Sequence, residues 1–158
     1  MKIIDIIDED FINYKKPCMT IMMPYCTFKC DKECGKQVCQ NSDLASAPKV
    51  EIEIKEIIKR YLNNPISEAI VFQGLEPFDS FYQILDFIKK FREVSNDDII
   101  IYTGYNKDEI KWFLTFFKNF DNIIIKYGRF IPNQEKHYDE VLGVYLASDN
   151  QYAERLIL

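Results

Sequence analysis

The chain has 158 residues, of which 47% are apolar and 28% are charged, and its net charge at pH 7 is -5. This composition is typical of one globular domain of ordinary size, so we predict a single domain over residues 1–158. The acidic balance, together with the lack of long basic runs, argues against nucleic acid as a partner.

The start of the chain predicts neither a secretory signal nor a membrane anchor. Asp5, Asp8 and Glu9 interrupt the apolar residues too early for a signal peptide. The sequence also lacks the ~18 consecutive apolar residues that a membrane span needs. An odd number of cysteines, five, suits reduced thiols better than a secreted disulfide framework. We therefore expect a cytoplasmic protein with no membrane partner.

Strands and helices alternate along the chain in the predicted secondary structure. Strand Met19–Met23 leads through Pro24 into a cysteine-rich loop over residues 24–41, and a helix follows from Pro48 to about Asn63. This alternation predicts an α/β fold with mostly parallel strands. The remaining predicted elements are a strand over 69–72, a helix capped by Asp79 with Phe81, Ile84, Leu85, Ile88 and Phe91 inward, a strand over 99–102, a helix from Asn106 to Phe120 with Glu109 as its capping partner, and strands over 123–126 and 141–146.

Glycines follow three of the predicted strands. Gly74, Gly104 and Gly128 each come just after a strand, where a glycine lets the backbone approach a ligand closely. Parallel α/β sheets bind their ligands at the carboxyl ends of the strands. We therefore predict a ligand site at this edge of the sheet. Gly143 is expected inside a strand instead, where close packing or a bulge would explain it.

Four of the five cysteines lie close together, within the loop that follows the first predicted strand. Such thiolates are soft ligands, and soft ligands select iron-sulfur clusters, zinc or copper(I). Structural zinc usually takes two pairs of ligands separated by a dozen or more residues, a pattern that this loop lacks. An iron-sulfur site is therefore the preferred interpretation, with zinc as the alternative.

Several short motifs accompany the cysteines along the chain. Three residues separate Cys26 from Cys30, and Gln73–Pro77 places Gly74 close to Glu76 and Pro77, with Leu75 between. Further motifs are Tyr-Thr-Gly-Tyr, Gly-Arg-Phe and Ser-Asp-Asn-Gln, at Tyr102–Tyr105, Gly128–Phe130 and Ser148–Gln151. Together these motifs resemble those of the radical S-adenosylmethionine superfamily, whose cysteine pattern is Cys-x3-Cys-x2-Cys and whose glycine-rich segment is commonly Gly-Gly-Glu-Pro. Within that superfamily they resemble the activating enzymes of anaerobic ribonucleotide reductase, which have Tyr-Thr-Gly-Tyr, Gly-Arg-Phe and Ser-x-Asn-Gln.

The third cysteine departs from the superfamily pattern, because no cysteine stands three residues after Cys30. Cys34 would lengthen the second interval by one residue and Cys39 by six. In the family an apolar residue commonly precedes the third cysteine and x-Asn often follows it, and Val38 and Asn41 match both features around Cys39. The metal ligands that we predict are Cys26, Cys30 and Cys39, with Cys34 as a replacement or a fourth ligand that would close the site.

The resemblance implies a [4Fe-4S] cluster with one iron left open and S-adenosylmethionine bound to that iron. It implies an open partial (β/α) barrel of the radical S-adenosylmethionine type, since a full barrel takes ~250 residues. The cofactor-binding residues that it implies are Phe28 and Val38 beside the cluster and the adenine, Gly74, Leu75 and Glu76 at the ammonium, and Thr103 at the polar tail or ribose.

The function that the resemblance implies is reductive cleavage of S-adenosylmethionine to a 5'-deoxyadenosyl radical. The expected partners are an anaerobic ribonucleotide reductase, which would receive a glycyl radical, and a reduced electron donor of the flavodoxin or ferredoxin type. Two alternatives remain open at this point. One is a radical enzyme that modifies another peptide or a small molecule, and the other is a non-catalytic iron-sulfur or zinc binding module.

Overall fold

The structure is a computed structural model that describes residues 1–157. Its strands are β1 (Lys2–Ile3), β2 (Asp5–Asp10), β3 (Cys18–Met23), β4 (Val50–Glu51), β5 (Ala69–Gly74), β6 (Asp98–Tyr102), β7 (Ile123–Tyr127), β8 (His137–Asp139), β9 (Val144–Leu146) and β10 (Tyr152–Arg155). Its α-helices are α1 (Lys29–Cys34), α2 (Ile54–Leu62), α3 (Phe81–Phe91) and α4 (Lys111–Phe117). Short 3-10 helices cover Ser42–Ser46, Pro77–Ser80 and Lys107–Ile110.

A six-stranded sheet in the order β10-β7-β6-β5-β3-β2 forms the centre of the fold. The four inner strands, β3, β5, β6 and β7, pair in parallel, and the edge strands β2 and β10 pair antiparallel to their neighbours. The prediction of an α/β fold with mostly parallel strands is therefore confirmed. Because the inner strands are parallel, their carboxyl ends lie at one edge of the sheet.

The inner strands are largely apolar because both of their faces are buried. Ile70, Phe72 and Ile101 face the larger core, which they share with the apolar sides of α2, α3 and α4. Val71 and Ile100 face a smaller core on the opposite side, which also contains Tyr14, Leu142 and Leu146. The sheet is thus covered by helices on one face, and by the β8–β9 hairpin with the segment before β3 on the other. Among the described residues, none of the helices has the length and apolar character needed to span a membrane.

The predicted helix from Pro48 to Asn63 is wrong in its first part. The helix begins at Ile54, whereas Val50–Glu51 forms β4, which pairs antiparallel with β1. The backbone N–H of Ile52 also donates to Met1 O at 2.9 Å. Pairing with the start of the chain therefore satisfies this backbone better than an additional helical turn would, and it leaves Val50 exposed.

Three further expectations need correction. Asp79 does not cap α3: the Glu76 carboxylate accepts from Phe78 N and begins the 3-10 helix in which Asp79 lies. The strand predicted over 141–146 begins only at Val144, because Gly143, at φ +72°, lies in the turn of the β8–β9 hairpin. The helix predicted from Asn106 to Phe120 is split into a 3-10 helix and α4, which ends at Phe117. Its capping pair is confirmed, since Glu109 Oε2 accepts from Asn106 N at 2.8 Å.

Candidate metal centre

An open cavity of about 430 Å³ lies at the carboxyl ends of the parallel strands. Met22, Gly74, Thr103 and Gly128 reach it from β3, β5, β6 and β7 or from the residues just after them. The β9 end closes another side with Tyr145 and the residues that follow it. The ligand site that was predicted from glycine placement therefore coincides with a real cavity in the fold.

Three of the four loop cysteines line this cavity. Cys26, Cys30 and Cys39 are half-buried free thiols on its wall, whereas Cys34, also free, lies outside the lining at the end of α1. Burial raises the pKa of Cys26 to about 11, against a hydrogen bond from Phe28 N that lowers it, and burial also raises the pKa of Cys30. Metal binding would displace these thiol protons, since the thiolate is the ligand.

The donor set at the cavity consists of soft thiols. Three of them line a cavity with room for several atoms, and soft thiolates suit an iron-sulfur cluster. Within residues 1–157, no group of three His, Cys, Asp or Glu side chains is already gathered around one point that could hold a single metal ion.

The cysteine loop is held closed by a side chain that the sequence did not single out. Asp31 Oδ1 accepts hydrogen bonds from Val38 N at 2.7 Å and from Cys39 N at 2.8 Å. Beyond the last cysteine, Asn41 Nδ2 donates to Gly74 O at 2.9 Å. Residues 32–37 consequently loop out, and Cys39 returns next to the residues that follow Cys30.

A buried carboxylate joins the ends of two strands beside the cavity. Glu76 is 7% exposed and accepts from Thr103 Oγ1 at 2.7 Å, from Gly104 N at 2.9 Å and from Phe78 N at 3.0 Å. Burial raises its pKa to about 7, although these hydrogen bonds act in the opposite direction. A Cβ on Gly104 would also lie 3.8 Å from Cys30 Sγ, so this pair of strand ends contacts the cysteine loop.

The predicted cofactor-binding residues divide into two groups. Gly74, Leu75, Glu76 and Thr103 line the cavity together, but the Thr103 hydroxyl is already engaged, since it donates to Glu76 and accepts from Tyr105 N. The other two predicted residues, Phe28 and Val38, do not line the cavity. Phe28 has a left-handed backbone conformation just before α1, and Val38 precedes Cys39.

Two buried cations near the cysteines received no role from the sequence, although one of them, Arg129, lies in the Gly-Arg-Phe motif. Lys126, 7% exposed, lines the cavity, and its Nζ donates to Gly128 O at 3.0 Å. Burial lowers its pKa to about 8, against the nearby Glu76 and Cys30, which raise it. The available signal was a lysine in an otherwise apolar strand, Ile123–Tyr127.

The second cation, Arg129, is 5% exposed. It connects α1 to the 3-10 helix Lys107–Ile110, which comes directly before α4. It makes a double hydrogen bond with Glu109 at 2.6 and 2.7 Å, which lowers the pKa of that carboxyl to about 2. Its Nε lies 3.1 Å from Glu33 Oε1 in α1 without the alignment of a hydrogen bond, so this contact is an ion pair. The Gly-Arg-Phe motif therefore contributes a structural link to the cysteine loop.

Comparison with known families now identifies the class of domain. The family model described as "4Fe-4S single cluster domain" matches residues 17–152, which run from just before β3 to the start of β10. The chain therefore belongs to the 4Fe-4S single cluster domain family. No curated protein and no solved structure matches the chain.

The family match and the site agree on the kind of metal centre. The matched region includes the whole cysteine loop and every strand end that lines the cavity. A 4Fe-4S cluster-binding domain is thereby indicated, and the prediction of an iron-sulfur protein is confirmed at that level. Such a domain is compatible with a redox enzyme.

Proposed function

We propose that this protein is a radical S-adenosylmethionine enzyme of the glycyl-radical activase type. The observation that carries this proposal is that three cysteines, and not the fourth, line one open cavity at the carboxyl ends of parallel strands. Three thiolates on a four-iron cube leave one iron without a protein ligand, and an open position distinguishes a reactive metal site from a structural one. The matching family is found in proteins of the radical S-adenosylmethionine type, which supports the assignment.

The cluster-bound cofactor would supply the chemistry, which is one-electron cleavage of S-adenosylmethionine to methionine and a 5'-deoxyadenosyl radical. The protein's own residues supply binding and orientation. Cys26, Cys30 and Cys39 would hold the cluster, and the backbone at Gly74 and Leu75 faces the same cavity. Glu76 follows these two residues in the chain. Its carboxylate accepts hydrogen bonds from Thr103 Oγ1 and Gly104 N at the end of β6, and these bonds hold the segment in place.

A buried cation complements this arrangement. Lys126 is the lysine among the residues that line the cavity, and its ammonium is held by one backbone carbonyl, Gly128 O. A buried ammonium with unused donors attracts an anionic group. We therefore assign Lys126 to the carboxylate end of the bound cofactor, which would lie on the β7 side of the cavity.

The open side of the cavity supports a macromolecular substrate. The six-stranded sheet has antiparallel edge strands and does not close on itself, and the cavity at its carboxyl ends is open. A protein substrate that inserts a peptide segment would complete the pocket and exclude water from the radical. On this basis we propose an anaerobic ribonucleotide reductase as the partner, with a reduced flavodoxin or ferredoxin as the electron donor. A glycine of that partner would give a hydrogen atom to the 5'-deoxyadenosyl radical, which leaves a glycyl radical on the partner and releases 5'-deoxyadenosine.

The proposal is tested by anaerobic reconstitution with iron and sulfide, reduction with dithionite, addition of S-adenosylmethionine and measurement of 5'-deoxyadenosine. We expect 5'-deoxyadenosine from the parent protein and none from Cys26→Ala. With an anaerobic ribonucleotide reductase added, electron paramagnetic resonance should then detect a glycyl radical. A full four-iron cluster that produces no 5'-deoxyadenosine would contradict the proposal and favour a non-catalytic binding module.

A further inference from the structure

The interval between Cys30 and Cys39 is long, so a specific contact is needed to bring the two cysteines to the same cavity. Eight residues separate Cys30 from Cys39, yet both cysteines line the same cavity. Residues 31–38 must therefore leave the cavity wall and return to it within a short distance. A flexible loop of this length loses conformational entropy when its ends are brought together, so the closed form needs a specific contact.

Asp31 provides that contact. It follows Cys30 directly, and its Oδ1 accepts from both Val38 N and Cys39 N, at 2.7 and 2.8 Å. One carboxylate oxygen thus joins the residue after the second cysteine to the backbone of the third. Hydrogen bonds from backbone N–H groups to a carboxylate are stronger than neutral ones, which suits a closure of this kind.

The loop is also fixed on either side of this closure. After Cys39, the Asn41 amide donates to Gly74 O at 2.9 Å, which attaches the chain to the end of β5. Within α1, Glu33 lies 3.1 Å from the buried Arg129 guanidinium. These contacts hold the outer parts of the loop, but Asp31 alone among them contacts the backbone of Cys39.

We infer that Asp31 is a positioning residue which holds Cys39 at the cavity and so allows the long Cys-x8-Cys interval to act as a cluster-binding site. This inference rests on the ligand set of the proposed function. The inference also explains why Cys34 does not line the cavity: it lies at the end of α1, within the segment that loops out between Cys30 and Cys39. If Cys34 were the third ligand instead, the Asp31 closure would be dispensable.

Two substitutions separate the hydrogen-bonding role of Asp31 from its charge. Asp31→Ala removes the acceptor for both N–H groups, whereas Asp31→Asn keeps a carbonyl oxygen that can accept from both. Asp43→Ala is the matched control, because Asp43 is an exposed acid in the following 3-10 helix whose side chain makes no hydrogen bond in the described part of the chain. Thermal unfolding of the metal-free proteins checks that each variant folds.

The first readout is cluster retention, which does not depend on activity. After anaerobic reconstitution, iron and sulfide per chain are measured, followed by the rate of iron loss to a chelator. We expect Asp31→Ala to lose iron about tenfold faster than the parent protein, the order of effect seen for residues that orient metal ligands. Asp31→Asn, which keeps an acceptor but loses the charge, should lose iron more slowly than Asp31→Ala, and Asp43→Ala should remain close to the parent protein.

The second readout uses the metal-free protein. Alkylation of Cys39, followed by mass spectrometry, should be faster in Asp31→Ala than in the parent protein, while the buried Cys18 stays protected in both. Parent-like cluster retention and parent-like Cys39 alkylation in Asp31→Ala would overturn the inference. A parent protein that takes up a full cluster but does not cleave S-adenosylmethionine would contradict the proposed function alone, and one that takes up no cluster would overturn both.

Discussion

The Glu76 carboxylate accepts a hydrogen bond from the Thr103 hydroxyl at 2.7 Å, and this contact joins the carboxyl ends of β5 and β6 beneath the cavity. Both residues line the cavity in which the resemblance implies a bound cofactor. Glu76 is 7% exposed and Thr103 is 2% exposed, and their hydrogen bond also supports the loop that starts at Gly74. A motif residue can therefore serve a site by holding its backbone in place.

This support predicts an effect of Thr103 on stability. Thr103→Val removes a donor from a buried carboxylate while keeping the shape of the side chain, and we expect a loss of about 1–3 kcal/mol in the free energy of unfolding. Thr103→Ser keeps the hydroxyl and should be much closer to the parent protein. Urea denaturation of the metal-free proteins measures both, and equal stability of Thr103→Val and the parent protein would contradict this role for the hydroxyl.

Gly74 is predicted to tolerate a side chain poorly. Its φ is +94°, and an added Cβ would lie 3.2 Å from Met22 Cα and from Met23 N, both of which are backbone atoms. Gly35 has a comparable φ of +66° but nothing within 4 Å of an added Cβ, so it is the matched control. Both alanine variants carry the strain of the left-handed region, of order 1 kcal/mol. Gly74→Ala should be less stable than Gly35→Ala in urea denaturation, and equal losses would contradict the close approach of β3.

The acid stability of the protein should depend on Asp98, which is remote from the cysteines. Burial alone would raise its pKa, but hydrogen bonds from Arg155 at 2.7 Å and Tyr14 at 2.8 Å outweigh burial and lower it. A lowered pKa in the folded state means that the stabilisation is fully present above the unfolded value of ~4 and is lost as pH falls through the folded value.

Substitution of Asp98 should therefore flatten the acid side of the stability profile. Asp98→Asn should cost about 2 kcal/mol at pH 7 and show a shallower further loss of stability below about pH 4 than the parent protein does. The control is Asp121→Asn, an exposed aspartate whose side chain makes no hydrogen bond within residues 1–157. Urea denaturation across pH 2–7 measures the slopes, and a parent-like slope in Asp98→Asn would contradict the assignment.

Lys126 gives a prediction for cofactor binding. Lys126→Met keeps most of the side-chain volume and removes the buried charge, so the protein should remain folded and retain its iron. We expect S-adenosylmethionine to bind roughly tenfold more weakly, the loss that corresponds to one charge-assisted hydrogen bond. Isothermal titration of the reconstituted protein measures this affinity. Lys55→Met, at an exposed position of α2, is the control. Unchanged affinity in Lys126→Met would remove Lys126 from the site.

The sequence predicted the parts of the fold that carry a strong local signal. The apolar runs at 69–72, 99–102 and 123–126 became inner strands because burial on both faces requires such runs. Strand β4 was missed because two residues carry no periodicity, and its pairing with β1 joins segments far apart in the chain. The edge strand β10 likewise lacks an apolar run, and only its pairing with β7 reveals it.

The kind of ligand at the candidate site could be predicted from the sequence, but the contacts that position those ligands could not. The cysteine loop and Gly74 were identified from residue types and spacing, whereas Glu76 and the choice of Cys39 came from the resemblance to family motifs; Cys26, Cys30, Cys39, Gly74 and Glu76 line one cavity. The roles of Asp31 and Lys126 depend on contacts that form only after folding, namely the return of the loop to Cys39 and the burial of the β7 ammonium. An aspartate between two cysteines gives no local sign of which backbone groups it will bind.

The most direct test of this account compares Cys39→Ala with Cys34→Ala. Both proteins are reconstituted anaerobically, and their iron and sulfide contents and the electron paramagnetic resonance spectra of their reduced states are measured against the parent protein. The account predicts that Cys34→Ala keeps a parent-like four-iron cluster and that Cys39→Ala loses it. A full cluster in Cys39→Ala together with its loss in Cys34→Ala would contradict the ligand set on which the proposed function rests.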